Sequence, residues 1–251
     1  MASMAHVTQD FGVQSWCFRE FKDNRKVAEY VKQIGLKKVE LCGVHCSFDD
    51  ESKWDEAIAA YREAGIQITS IGVERTSDEE AFNRRRFEFL KRAGGRLLNI
   101  HFNIANWEKV HPMMQKLGDE YDIDVGLHNH GGYQWTGSLD AVKYVLGKCG
   151  PRIGSYLDTA WCIQAGEDPI KWVKTFGKRV IGLHLKDFVF SREGKWSDVV
   201  VGTGSLKLPE FVATLGEVGF HGVTTLEYEA DVKDPVPALS KCISAIRGTK
   251  V

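Results

Sequence analysis

Eight short β-rich runs alternate with amphipathic helical runs from one end of this chain to the other. That alternation restricts the fold more than any other feature. The strands read as Phe11–Phe18, Lys38–Cys42, Ile66–Val73, Leu97–Asn103, Ile123–Asn129, Ile153–Asp158, Val180–Lys186 and Val223–Tyr228. Several are nearly continuous apolar stretches, as parallel strands buried on both faces require. The helices read as Asn24–Ile34, Lys53–Ala64, Glu79–Ala93, Trp107–Tyr121, Leu139–Cys149, Pro169–Phe176, Pro209–Val218 and Val236–Ile246. Gly35, Gly65, Gly94, Gly177 and Gly219 each fall just past a helix, where a left-handed residue is wanted.

Strand then helix, eight times, implies right-handed parallel crossovers. A closed (β/α)8 barrel, one domain over residues 1–251, accounts for eight such units better than an open sheet does, and the length suits it. No Gly-x-Gly-x-x-Gly follows the first strand, which argues against a dinucleotide-binding open sheet. The one long irregular stretch, Phe188 to Ser205, lies between the seventh strand and its helix, and loops of that length are usually functional.

Composition narrows the partners. The formal net charge is -1, so there is no basic excess to neutralise a phosphate backbone, and nucleic acid is not expected as a partner. Met1 to Phe11 has no apolar stretch of signal-peptide length, and no run of 18 apolar residues occurs, so no membrane association is expected. Met1 and Met4 leave the natural start open. The six cysteines are scattered, and the Cys42–Cys46 spacing has no second pair to complete a zinc site; reduced thiols in a cytoplasmic protein are the expectation.

Barrel active sites sit at the C-terminal ends of the strands, and polar residues gather there. Glu40, His101, His128-Asn129-His130, Asp158, His184-Leu185-Lys186-Asp187 and Glu227-Tyr228-Glu229 all occupy such positions. Taken singly, a His at a strand end is more often a hydrogen-bonded structural residue, and an Asp before a helix is more often a cap. Asp187 and Glu229 alternate with apolar neighbours and are free to face other ways. Convergence changes the balance. His128, Asp158, His184 and Glu227 close strands five to eight at matching depth, which in a closed barrel is a contiguous arc. Two imidazoles and two carboxylates suit one divalent ion, Mn, Co, Mg or Zn, with positions open for substrate.

With these residues in place, Leu157-Asp158-Thr159, His184-Leu185-Lys186-Asp187 and Leu226-Glu227-Tyr228-Glu229, together with Val201-Gly202-Thr203-Gly204, resemble the xylose isomerase-like TIM barrels. That superfamily holds the sugar phosphate isomerases and epimerases, hydroxypyruvate isomerase, inosose dehydratase and endonuclease IV. The resemblance implies His128, Asp158, His184 and Glu227 as metal ligands, with His128 standing where the family typically has Glu. It also implies Trp161 in place of a substrate-holding His, offering a stacking wall. A neutral imidazole in place of a third carboxylate leaves the ion a stronger Lewis acid.

The expected activity is isomerisation or epimerisation of a small sugar or keto-sugar, by proton abstraction next to a carbonyl with a metal-stabilised enediolate. Glu227, His130 and Lys186 are the candidate catalytic residues; Lys186 and His130 each lie two residues beyond a candidate ligand, on the same strand face. The alternatives are an ion pair with a neighbouring carboxylate for Lys186 and a supporting or loop position for His130. Glu40, His101, Trp161 and Trp135 are the candidate substrate contacts, and some of Trp16, Tyr133 and Trp196 are expected at the pocket, with core packing the safer reading for Trp16. Three alternatives stand beside this one. The same intermediate leads to β-elimination by a 3-keto-glycoside lyase or hydratase, a reaction that the His-Asn-His form of strand five also implies. A nuclease like endonuclease IV needs three zinc ions, further ligands and a basic face, which the chain lacks. A non-catalytic sugar-binding barrel is the third. Barrels of this kind often form homo-oligomers, though no signature for one stands out. No phosphate-binding pattern follows strands seven and eight, which favours an unphosphorylated sugar.

Overall fold

The computed structural model describes residues 5–250; Met1 and Met4 lie outside the described residues. Ten strands occur among the described residues: β1 Gly12–Gln14, β2 Lys38–Leu41, β3 Gln67–Arg75, β4 Leu97–His101, β5 Asp124–His128, β6 Ile153–Asp158, β7 Val180–Leu185, β8 Phe188–Phe190, β9 Trp196–Asp198 and β10 Val223–Leu226. Eight of them close a parallel barrel in the order β1-β10-β7-β6-β5-β4-β3-β2, while β8 and β9 form a separate antiparallel hairpin. The expected α/β barrel is therefore the fold. Helices lie between the strands, and among the described residues none is long and apolar enough to cross a membrane.

Local chemistry accounts for the elements. Asp23 caps the helix Asn24–Gln33 by accepting from Arg25 N–H, and Ser138 caps Leu139–Lys148 through Ala141 N–H. Asp168 caps Pro169–Phe176, whose leading proline has no N–H to leave unsatisfied. The five glycines expected past helix ends all have positive φ. All six residues of β6 are buried, as expected for a strand covered on both faces.

The barrel interior is arranged around one aromatic ring. Tyr156 on β6 is fully buried and points across the strands. A Cβ on Gly182 would lie 2.4 Å from its Cδ2, and one on Gly126 would lie 2.9 Å from its Cβ. Glycine at these two positions, on the strands flanking β6, leaves room for the ring.

The boundaries differ from expectation in ways that bear on function. The first strand stops at Gln14, because the Gln14 side chain accepts from Trp16 N–H and turns the chain into a short 3-10 helix, Ser15–Phe18. The third strand runs two residues beyond Val73, bringing Glu74 and Arg75 into pairing with β4. The long loop after β7 contains the β8–β9 hairpin, tied down by Asp187. A short helix, Thr159–Gln164, follows β6 directly and is capped by Asp158.

Candidate metal centre and active site

Strand register sets the candidate ligands level with one another. His128 pairs with Tyr156 at the end of β5, and Asp158 pairs with His184 between β6 and β7. His128 Nε2 and His184 Nδ1 lie 3.1 Å apart. Asp158 Oδ2 is 4.0 Å from the first and 3.7 Å from the second. All three side chains are buried, and one ligand atom from each falls within 4.8 Å of the others. Asp158 Oδ1 caps the following helix by accepting from Trp161 N–H at 2.8 Å, whereas Oδ2 is buried with no hydrogen-bond partner. A buried carboxylate oxygen left unpaired is costly. Here it faces two ring nitrogens, and that donor set fits a divalent cation. Glu227 Oε2 reaches His184 Nδ1 at 3.4 Å, at the edge of this group.

Electrostatics separate the two histidines. Burial, with His184 alongside, holds the His128 pKa well below the usual imidazole range, so it is neutral. Burial alone would lower the His184 pKa too, but Glu227, Glu40 and Asp158 surround it and push it up to about 10. Burial raises Glu227 to about 7, with Lys186 and His184 opposing the rise.

His128 and Glu227 line a cavity of about 510 Å³ at the C-terminal mouth of the barrel, with Asp158 and His184 fully buried behind them. Of the candidates, His101, His128, His130, Trp161 and Glu227 line it, and Gln14, Trp16, Glu74 and Glu229 join them. His130 stacks on Trp161 with ring centroids 4.0 Å apart and planes 24° apart. His101 stands edge-on to His128 at 5.2 Å.

Three expected contacts sit elsewhere. Glu40 does not reach the cavity. It is fully buried beneath the group, where Oε1 accepts from Gln14, Asn99 and His184 and Oε2 accepts from Ser70 and Tyr156. No acceptor capacity is left for a sugar hydroxyl. Trp135 does not line the cavity either; its indole N–H donates to Phe102 O at 3.2 Å. Lys186 is buried rather than presented to substrate, because its ammonium bonds Glu229 and, at 3.2 Å, Glu227. Of the loop aromatics, Tyr133 is fully exposed and Trp196 packs edge-on to Trp161 at 5.4 Å. Trp16, given the safer core reading, lines the cavity and donates from Nε1 to Glu229 Oε2 at 2.9 Å.

Gln14 and Glu74 have no place among the candidates that the sequence offers. Glu74 was recoverable: it is a charged residue at the C-terminal end of a barrel strand, hidden only by ending that strand too early.

Comparison with known proteins agrees with this architecture. A sequence profile of the xylose isomerase-like TIM barrels matches residues 28–247. The chain belongs to that family. The 3-oxo-isoapionate decarboxylase of Pectobacterium atrosepticum is 32% identical over 93 residues, 35% of this chain; the match spans 33% of that relative's length. A xylose isomerase-like TIM barrel protein from Mycobacterium smegmatis, solved in complex with magnesium, superposes with a TM-score of 0.78 at 13% identity, covering 99% of this chain and 98% of that one. The apo 3-keto-D-glucoside 4-epimerase of E. coli superposes with a TM-score of 0.71 at 14% identity, covering 95% and 98%.

Proposed function

We propose that this family member is a divalent-metal-dependent isomerase or epimerase of a small keto-sugar. The observation that carries the reading is the orphaned Asp158 Oδ2, facing His128 Nε2 and His184 Nδ1 behind a sugar-sized cavity that His128 and Glu227 line. His128, Asp158, His184 and Glu227 are the residues to hold the ion. A divalent ion there supplies Lewis-acid polarisation of a carbonyl or vicinal hydroxyl pair.

The protein's own groups do the rest. Glu227 lines the cavity beside the group, where its carboxylate is placed to take a proton from carbon and return it; in the metal-free protein burial raises its pKa to about 7. Lys186 bridges Glu227 and Glu229 and fixes the direction in which Glu227 points. Trp161, backed by His130, presents an aromatic wall that can stack on a sugar face and exclude water.

A lyase is the second reading, favoured by His128 in the strand-five position. Within the group this leaves Glu227 as the carboxylate free to move a proton, and elimination or decarboxylation needs one such group where epimerisation by a carboxylate pair needs two. The partial match to a decarboxylase supports the same direction.

Elemental analysis of wild type, His128→Ala and Asp158→Ala tests the shared premise. About one divalent ion per chain, lost in both variants, is expected; unchanged metal content would sink the proposal. Incubating the loaded enzyme with free keto-sugars in D2O then separates the readings. Deuterium next to the carbonyl with the carbon skeleton intact supports isomerisation or epimerisation. Release of a β-substituent or CO2 supports the lyase.

A further inference from the structure

Charge around the cavity mouth is one-sided. Its lining carries the carboxylates Glu74, Glu227 and Glu229, and among the described lining residues none is Lys or Arg. Of the nearby cations, Arg75, whose charge Glu74 feels, sits 4.9 Å from the Phe82 ring, and two others are held by groups at the cavity edge. Lys186 bonds Glu227 and Glu229, and the Arg19 guanidinium donates to Trp16 O and Glu229 O.

The usual anion site of such a barrel is also filled. Barrels frequently bind phosphate in the loops after the seventh and eighth strands, where backbone N–H groups turned inward make a nest for an anion. Here the N–H groups of Gly202 and Gly204 donate to Asp187 Oδ2, and that of Leu206 donates to Asp187 Oδ1, each at 2.9 Å. A Cβ on Gly204 would lie 2.6 Å from Oδ1, so the fit is close. The protein's own carboxylate sits where a substrate phosphate would otherwise be received.

Glu74 faces the metal-binding group from the other side. In the ring of strands, β3 is diametrically opposite β7, which carries His184. Glu74 Oε2 accepts from Arg86 Nε at 3.1 Å, and the remaining Arg86 nitrogens grip Asp49 at 2.6 and 3.2 Å. The Arg86 side chain is 5% exposed, with its guanidinium 3.6 Å above the Phe82 ring. This anchor fixes the Glu74 carboxylate; burial raises its pKa above the usual carboxylate value, and the Arg86 guanidinium offsets only part of that rise. Oε1 receives no hydrogen bond from any described residue. It lies beside Gly43, another lining residue, where a Cβ would approach it to 3.5 Å. The absence of a side chain there leaves Oε1 open to the cavity.

We propose that the cavity selects a neutral, unphosphorylated polyol, and that Glu74 determines this selectivity by accepting hydrogen bonds from hydroxyls at the end of the substrate remote from the metal-binding group. The inference rests on the keto-sugar reading above and gives that substrate its class. A fixed carboxylate with one free oxygen accepts from hydroxyls strongly and repels a phosphate or carboxylate in the same place.

The test is a binding titration of the magnesium-loaded protein, read by fluorescence of Trp16 and Trp161, with D-allulose, D-fructose and D-fructose 6-phosphate as probes. Wild type is expected to bind at least one free ketose roughly 10-fold or more tighter than the phosphate ester. Glu74→Gln should weaken the free ketose about 10-fold and shrink that preference. Should Glu74→Gln fold poorly, Gly43→Ser gives the same readout with the Glu74–Arg86 pair intact, because its hydroxyl would donate to Oε1 and block it. Equal binding of ester and free sugar, or a preference unchanged in the folded variants, overturns the inference while leaving the proposed function standing. Failure of every ketose to bind the loaded wild type overturns both.

Discussion

Glu40 Oε1 accepts a hydrogen bond from His184 Nε2 at 2.8 Å, and this bond decides which way the histidine faces. With Nε2 committed to the carboxylate, Nδ1 is left pointing at His128, Asp158 and Glu227. A carboxylate behind a ligand histidine fixes its tautomer and raises its basicity. Glu40→Gln keeps the size but places an amide NH2 among donors from Gln14, Asn99, Ser70 and Tyr156, where an acceptor is needed. The expected outcome is a roughly 10–100-fold loss of divalent-metal affinity, measured by competition with a chelator. Wild-type affinity in this variant would show that Glu40 does not position His184.

Metal binding should release a proton. The metal-free protein holds His184 protonated, its pKa pushed up to about 10 against burial by Glu227, Glu40 and Asp158. The folded value lies above the ordinary value of about 6.5. The stabilisation from its charged form is therefore complete below about pH 6.5 and is lost as pH rises through about 10. A divalent ion requires the neutral ring, so its affinity should climb about tenfold per pH unit from pH 7 to 9. At pH 8, Glu227 is mostly ionised and His128 is neutral, leaving His184 as the main source of displaced protons. Calorimetry in two buffers of different ionisation enthalpy should report about one proton per ion. Zero release, with affinity flat across that range, would contradict the assigned protonation.

Asp187 holds the loop between β7 and the helix Leu208–Glu217. Its two oxygens accept the Gly202, Gly204 and Leu206 N–H groups. Asp187→Ala removes every one of those acceptors at once. Leaving part-buried donors unpaired should cost about 2–4 kcal/mol in total, read from the urea midpoint at unchanged slope. Amide exchange at Gly202 and Gly204 should quicken first. A change below about 0.5 kcal/mol would mean that the hairpin holds the loop unaided.

The barrel was legible because its signal is repetitive: eight apolar runs, helices of the right period, and glycines where left-handed residues were wanted. The convergence of the candidate ligands was legible for a related reason: strand ends in a closed barrel come together, and the structure brings His128, Asp158 and His184 within reach of one another. What escaped depends on direction rather than position. Glu40 and Glu74 both sit near strand ends, yet Glu40 points down into the donors of the barrel interior and Glu74 points at the cavity. A pattern of residue types does not record how many donors surround an acid. For Lys186 the sequence left an ion pair with a neighbouring carboxylate open, and the structure pairs it with two, Glu227 and Glu229. Asp187 read as a residue facing away and proved to organise a loop through backbone N–H groups, which have no sequence signature beyond the two glycines.

The link between barrel packing and the metal-binding group predicts an effect at a distance. Tyr156 OH donates to Glu40 Oε2 at 2.8 Å, and its ring is seated over Gly182, where a Cβ would come within 2.4 Å of Cδ2. Gly182→Ala forces the ring to move, since Tyr156 is fully buried and the strands on either side are paired. Overpacking of this kind costs about 1–3 kcal/mol. It should also take the phenol away from Glu40, which then holds His184 less firmly. Gly182→Ala is therefore expected to lower both the unfolding midpoint and the metal affinity, although residue 182 touches no candidate ligand. Combining it with Tyr156→Phe separates the two effects. The hydroxyl is then already absent, so the added alanine should cost stability but little further metal affinity, the non-additivity expected when one contact carries the coupling. Fully additive losses in metal affinity would show that Tyr156 is not the route from the barrel core to the metal-binding group.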